Sequence, residues 1–382
     1  MPHPTCSDPL HRYPAGVKYY HYPHPFSLES GEILPAVTIA YHTYGTLNAE
    51  RSNCVWVMHA LTANSDVADW WPHTVEKGKF LDPEENFVVC ANVIGSCYGS
   101  SGPATPLTPG ASPLWGDFPL LTVRDMVKAH ELLAAHLGIE VIDTIIGSSL
   151  GGFQALEWLV SNPGIARKAV ICATDYQCRP WLAAINKAMY MAIEADSDYG
   201  RPAADAARKG LEAARAIALL SYRSHTAYNL TQQDVDAESS DAHPARPLPQ
   251  SSEAKRCRPE LCSEKEQPPF FRRVHSYQAY QGKKLADRFD VYSYERMCRS
   301  SDTHDVGRGR GGAAAALGSI RAKCIVISVS SDILFPPEYH DEMAALIPGA
   351  ERASIISEFA HDGFLIEHEQ LDKIIQTFRR NS

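Results

Sequence analysis

Three residues of this chain have the types, and the order along the sequence, that nucleophilic acyl chemistry needs: Ser149, Asp332 and His361. Ser149 is the centre of Gly147-Ser148-Ser149-Leu150-Gly151, a match to G-x-S-x-G. A serine hydroxyl is a weak nucleophile at neutral pH unless a base takes its proton, and an imidazole base needs a carboxylate to orient it. Asp332 comes just after the apolar run ending Ile325-Val326-Ile327-Ser328-Val329. His361 sits in Phe359-Ala360-His361-Asp362-Gly363, a loop in which Gly363 is expected to ease the turn. Each residue alone has a plainer explanation. The pentapeptide can be a glycine-rich connection, the aspartate a helix cap, the histidine a loop residue. All three in the order serine, acid, histidine favour a triad.

Such a serine must be held on a particular element. Val141, Ile142, Ile145 and Ile146 form a short β-branched run that reads as a buried strand, and Phe153, Ala155, Leu156, Trp158 and Leu159 read as a helix packed on a sheet. The sharp turn between them strains the serine backbone, and glycines two residues to either side leave room for it. The helix start offers unpaired N–H groups to a developing oxyanion.

The remaining elements alternate. Cys54–Met58 and Phe87–Ala91 read as strands. Glu32–Tyr44 suits an early antiparallel strand pair, after thirty residues rich in His, Tyr and Pro. Thr122–Leu137 has helical periodicity, with Thr122 as N-cap and Gly138 as stop. Strands follow at Lys168–Ala173, Ile320–Val329 and Ser354–Ile356, and an amphipathic helix closes the chain over Glu369–Arg380. Strands alternating with helices imply a mostly parallel sheet covered on both faces. The expected core is residues 1–174 and 311–382. Residues 175–310 interrupt it as an inserted helical lid over the carboxyl ends of the strands, where α/β proteins bind ligands. Helical text runs from Arg179 to Tyr228, including the alanine-rich stretch around 203–220, and again from Phe270 to about Cys298. Between them, a polar, proline-bearing stretch near 234–269 reads as a mobile loop.

Composition excludes several classes. The 382 residues are 45% hydrophobic and 21% charged, ordinary for a globular protein. A net charge of −9 gives no footprint for nucleic acid. No apolar run approaches the ~20 residues of a membrane span, and Met1-Pro2-His3-Pro4-Thr5 has no signal-peptide pattern. Ten cysteines occur without a C-x-x-C pair. Cys257 and Cys262 are close together in the polar stretch but lack histidine partners, so no metal site is expected. Free thiols point to a reducing cytoplasm.

Beyond the serine pentapeptide, longer stretches carry a resemblance: His59-Ala60-Leu61-Thr62, Asn92 to Pro103, Gly151 to Trp158, Ser221-Tyr222-Arg223-Ser224, Tyr280-Gln281-Gly282, Arg288-Phe289-Asp290, Ser331-Asp332 with Phe335-Pro336, and His361 to Phe364. Over nearly its whole length the chain resembles the homoserine O-acyltransferase family, enzymes of the α/β-hydrolase fold. Ser148, Leu150 and Ala360 depart from that family, which usually has Gly, Met and Gly there. The resemblance implies ping-pong transfer of an acetyl group from acetyl-CoA to the γ-hydroxyl of L-homoserine, in methionine biosynthesis. Ser149 would carry the acyl group, with His361 as base and Asp332 orienting it. Backbone N–H groups of Leu61 and Leu150 would form the oxyanion hole. Arg223 would hold the acceptor carboxylate and Asp362 its amino group, with Tyr228 a further pocket candidate. No metal or organic cofactor is implied; acetyl-CoA is a co-substrate. Family members are commonly dimers through their lid helices, so a homodimer is expected.

Other activities fit the same motifs. Homoserine O-succinyltransferase and serine O-acyltransferase activities occur on sequences of this family, and a plain esterase shares the triad. A lid that sheds water and a paired Arg/Asp for an amino acid favour transfer.

Overall fold

The computed structural model describes residues 15–108, 110–233 and 272–381. The strands are β1 (Lys18–Tyr22), β2 (Phe26–Ser27), β3 (Ile33–Leu34), β4 (Val37–Tyr44), β5 (Cys54–Met58), β6 (Phe87–Ala91), β7 (Ile142–Ser148), β8 (Ala166–Cys172), β9 (Lys323–Val329) and β10 (Glu351–Ile355). The helices are α1 (Val67–Trp70), α2 (Val123–His136), α3 (Leu150–Ser161), α4 (Pro180–Glu194), α5 (Arg208–Tyr222), α6 (His225–Thr231), α7 (Arg273–Ala286), α8 (Val291–Asp302), α9 (Ala313–Leu317), α10 (Pro337–Leu346), α11 (Gly363–Ile366) and α12 (His368–Asn381).

Among the described residues the main sheet has eight strands, in the order β1-β4-β6-β5-β7-β8-β9-β10. β4 runs antiparallel to both β1 and β6, and every pairing from β6 to β10 is parallel. This is the α/β-hydrolase architecture. All five residues of β5 are buried, because helices cover both faces of the sheet. Alternate side chains go to opposite cores. Trp56 and Ile145 pack with α2 and α3, whereas Val55, Val57 and Ile146 pack with Leu371, Ile375 and Phe378 of α12. Thr122 caps α2 as expected: its side chain accepts from Asp125 N–H, and the Asp125 carboxylate accepts from Thr122 N–H in return.

The crossover from β8 to β9 carries α4 to α9, and Gln177 forms a bridge with Asp305 where the chain leaves and returns. The polar stretch 234–269, with Cys257 and Cys262, lies outside the described residues. No described helix is long and apolar enough to cross a membrane.

Three local expectations need correction. The early strand pair is not internal to Glu32–Tyr44. β4 pairs with β1, and β3 pairs with β2 in a separate two-stranded sheet. The alanines at 203–207 are not helical: α5 begins at Arg208, and Ala207 takes a left-handed φ of +43° as its N-cap. Ala206 and Ala207 are buried, so packing overrides their helix propensity. The helical text from 270 to 298 breaks between α7 and α8, where Asp290 caps the second helix by accepting from Ser293 N–H at 2.8 Å.

Candidate active site

Four loops at the carboxyl ends of parallel strands build the site. Ser149 follows β7, Leu61 follows β5, Asp332 follows β9 and His361 follows β10. Ser149 has φ +55° and ψ −127°, a conformation that costs a non-glycine residue about 1–3 kcal/mol and that the surrounding packing must enforce. Gly147 and Gly151 show how. A Cβ on Gly147 would stand 2.3 Å from the Gly151 carbonyl oxygen, and one on Gly151 would stand 2.0 Å from the Met58 oxygen. The elbow is thus pressed against the end of β5, which brings the first turn of α3 to the His59–Thr62 loop.

The three expected residues meet. His361 Nε2 is 2.9 Å from Ser149 Oγ, and its Nδ1 is 2.8 Å from Asp332 Oδ2. The other oxygen of Asp332 accepts from the N–H groups of Leu334 and Phe335, at 2.8 and 3.0 Å. Asp332 and His361 are both buried. The imidazole is boxed by Phe335 and Phe364, each with ring centroid 5.4 Å away, and by Tyr222 of α5 at 5.8 Å. This arrangement can deprotonate the hydroxyl, hold the imidazolium and exclude water on three sides.

Gly363 does not serve the turn as expected. Its φ is −55°, and its lack of a side chain instead lets it approach Val329 and Ser357. Ala360 takes the left-handed conformation, at φ +50°, and its N–H donates to Ser331 Oγ at 2.9 Å. Ser331 Oγ donates in turn to the Ser357 oxygen at 2.6 Å, so the acid loop and the base loop are tied together.

The same packing sets the start of α3, which carries Leu150, against Met58 and His59 at the entry to the loop that carries Leu61. Leu150 N–H is in the first turn of α3, where no intrahelical carbonyl reaches it. Leu61 belongs to a loop fixed from two sides. His59 is fully buried, and burial pushes its pKa down to about 4. The neutral ring accepts from Val93 N–H at 3.0 Å through Nε2 and so donates from Nδ1 to the Ala60 oxygen at 2.8 Å. From the other side, Arg288 donates to the Thr62 oxygen at 2.6 Å and to the Tyr98 hydroxyl.

The acceptor candidates also converge. Arg223, the C-cap of α5, donates from Nε to Asp362 Oδ2 at 3.0 Å, one residue beyond the base. Burial works against the Arg223 charge, but Asp362 and nearby tyrosines more than offset it, and its pKa stands above the usual arginine value. Tyr228 lies on α6 with its ring 6.0 Å from that of Tyr277, and burial pushes its pKa up to about 12. Ser224, next to Arg223, donates to the Glu358 oxygen and anchors the start of α6 on the base loop. Tyr222, Tyr277 and Arg288 escaped the sequence reading as site residues. Tyr222 and Arg288 lie inside quoted motifs, whereas Tyr277 has no local signal. Among the described residues no group of three or more His, Cys, Asp or Glu is placed to hold a metal ion.

Comparison with known proteins shows the family. The α/β-hydrolase fold family model matches residues 54–367. A homoserine O-acetyltransferase from Cyclobacterium marinum is 40% identical over 352 residues, covering 92% of each chain. The solved homoserine O-acetyltransferase from Bacillus anthracis superposes with a TM-score of 0.80 at 20% identity, covering 95% of this chain and 97% of that one. An acetylester hydrolase from Corynebacterium glutamicum superposes with a TM-score of 0.77 at 23% identity, covering 95% and 96%, a likeness of fold. Given the relatives' identity and coverage, the chain belongs to the homoserine O-acetyltransferase family of the α/β-hydrolase fold and is an acyltransferase.

Proposed function

We propose that this enzyme moves an acetyl group from acetyl-CoA to the γ-hydroxyl of L-homoserine by a ping-pong route through acetyl-Ser149. His361 takes the Ser149 proton as Oγ attacks the thioester carbonyl. The oxyanion of the tetrahedral intermediate is held by the N–H groups of Leu61 and Leu150, and CoA leaves as the thiol with the proton from His361. Homoserine then enters with its carboxylate at Arg223 and its ammonium at Asp362. His361 deprotonates its hydroxyl for attack on the acyl-serine, the bond from the acyl carbon to Ser149 Oγ breaks with His361 returning the proton to Oγ, and O-acetylhomoserine departs. Asp332 keeps the imidazole oriented and stabilises its charged form. No metal or organic cofactor has a step in this scheme.

The observation that carries the reading is the adjacency of His361 and Asp362. One residue contacts the nucleophile and the next is paired with Arg223, so an amino acid gripped there presents its side-chain hydroxyl to the base. Residues 175–310 act in this reading as the lid that supplies Arg223 and shields the acyl-enzyme from water. A second copy of the chain is taken to pack on the lid, where Trp181, Met191 and Leu220 are exposed on α4 and α5. A cytoplasmic location fits the free thiols of Cys54, Cys90, Cys97, Cys172, Cys178, Cys298 and Cys324, and the product fits methionine biosynthesis.

The test is thiol release from acetyl-CoA or succinyl-CoA, each with homoserine, serine or no acceptor. The reading expects homoserine-dependent release from acetyl-CoA well above the release without acceptor. Preference for succinyl-CoA or serine would move the enzyme to a sister activity, and acceptor-independent release would make it an esterase.

A further inference from the structure

A second cation stands near the acceptor residues. Arg215 lies on α5, seven residues before Tyr222, and its guanidinium rests 5.3 Å from the Tyr222 ring. Its Nη1 is buried and makes no hydrogen bond. The Tyr228 hydroxyl is likewise buried without a hydrogen bond, and the Tyr277 hydroxyl is buried beside the Gln281 side chain, Tyr277 being only 8% exposed. These groups surround one place. Arg223 Cζ is 5.5 Å from the Tyr277 ring, and Tyr277 packs edge-on against Tyr228. The charges of Arg215 and Arg223 both act on both phenols, opposing the rise that burial imposes on them.

A buried donor without an acceptor calls for an explanation, and a ligand that brings the acceptor is one. Here two such donors, Arg215 Nη1 and the Tyr228 hydroxyl, stand with Arg223 near one carboxylate, Asp362, which leaves a surplus of positive charge. An amino-acid acceptor balances that count. Its ammonium goes to Asp362, and its carboxylate brings two oxygens with about four lone-pair sites, open both to the terminal N–H groups of Arg223, whose Nε is bound to Asp362, and to the unpaired donors beside it.

Building on the acyl-transfer reading, we propose that Arg215 and the Tyr277 hydroxyl complete the acceptor's carboxylate site beside Arg223. They make the enzyme select an α-amino acid over an amino alcohol. Arg215 is a specificity residue in this scheme and takes no part in the attack on the acyl donor.

The test compares homoserine with 3-aminopropan-1-ol, which keeps the hydroxyl and the amine but lacks the carboxylate. Steady-state transfer from acetyl-CoA to each is measured for the wild type, Arg215→Met, Arg215→Lys and Tyr277→Phe. Arg215→Met should lower kcat/KM for homoserine roughly 10- to 150-fold, the effect of one charge-assisted hydrogen bond, and should lower that for the amino alcohol by no more than about twofold. Lysine should restore part of the loss, since it keeps the charge without the planar fork. Tyr277→Phe should reduce the preference for homoserine roughly 3- to 10-fold. It also keeps the proposal testable if Arg215→Met does not fold. An unchanged preference in Tyr277→Phe and both Arg215 variants, or equal losses on both acceptors, would overturn the assignment while leaving the acyl-transfer reading in place. A wild type that acetylates neither acceptor overturns both.

Discussion

Arg288 holds Thr62: its Nη1 donates to the Thr62 carbonyl at 2.6 Å, so the segment between α7 and α8 fixes the loop that carries Leu61. The same guanidinium binds the Tyr98 hydroxyl, and its Cζ is 5.9 Å from the Tyr98 ring centroid. Removing an oxyanion donor outright costs about 10²–10³ in kcat, and loosening one costs less. Arg288→Met should therefore slow acetylation of Ser149 roughly 10- to 100-fold. Rapid-quench measurement of acetyl-enzyme at saturating acetyl-CoA checks this. An unchanged rate would mean that the His59–Thr62 loop holds its shape without the arginine.

Arg223 is assigned to the acceptor and not to the donor. Arg223→Ala should leave acetylation of Ser149 nearly intact and lower kcat/KM for homoserine roughly 10- to 150-fold. Arg223→Lys should recover only part, because a point charge cannot reproduce a two-pronged grip. Asp362→Asn should show the same asymmetry, with some added effect on the base through its neighbour His361. Equal slowing of both half-reactions in Arg223→Ala would contradict the assignment.

Ala360 occupies a left-handed position that glycine fills without a Cβ clash. The clash costs an L-residue about 1–2 kcal/mol, and the greater freedom of glycine in the unfolded chain offsets about 0.4–1 kcal/mol of any gain. Ala360→Gly should thus stabilise the fold slightly, by about 0.5 kcal/mol, and keep activity. Ala360→Val should lower both Tm and kcat, since a β-branched residue tolerates that conformation poorly and displaces His361. Thermal denaturation and steady-state rates on the two variants decide it, and equal tolerance of Val and Gly would contradict the strain argument.

Among the described residues, four imidazoles are buried with depressed pKa values. Burial pushes His59, His130 and His340 down to about 4 and His304 to about 3, all from 6.5. Below pH 6.5 the unfolded chain takes protons that the folded one refuses. The stability from these groups is therefore complete above 6.5 and is lost as pH falls toward 4, at about 1.4 kcal/mol per pH unit for each proton taken up. Tm should fall steeply between pH 6.5 and 4.5. His304→Phe should shallow that slope by about one proton, because the ring stacks on Phe153 at 4.0 Å and its Nε2 has no partner. An unchanged slope would show that His304 is protonated in the fold.

What the sequence disclosed follows from where the signals are local. The strand, elbow and helix around Ser149 are contiguous, and the Thr122 cap of α2 is written within four residues. The order of Ser149, Asp332 and His361 was readable because each follows its own strand. β1 was missed because Lys18–Tyr22 is a half-exposed edge strand of polar aromatics, with no apolar alternation to reveal it. The helix start at Arg208 was missed because tertiary burial of Ala206 and Ala207 decides it. Tyr277 and Arg215 come from different helices, and their meeting beside Asp362 depends on how α5 packs against α7, which no local pattern encodes.

The central claim is that Ser149 carries the acetyl group. Intact-mass measurement after mixing enzyme with acetyl-CoA, without acceptor, followed by peptide mapping, tests it most directly. The account predicts one added acetyl group located on Ser149, discharged on adding homoserine and absent in Ser149→Ala, which should lose about 10⁴–10⁶-fold in transfer rate. Acetyl label on another residue, or transfer by Ser149→Ala at more than about a hundredth of the wild-type rate, a loss far short of that expected for a missing triad member, would contradict it.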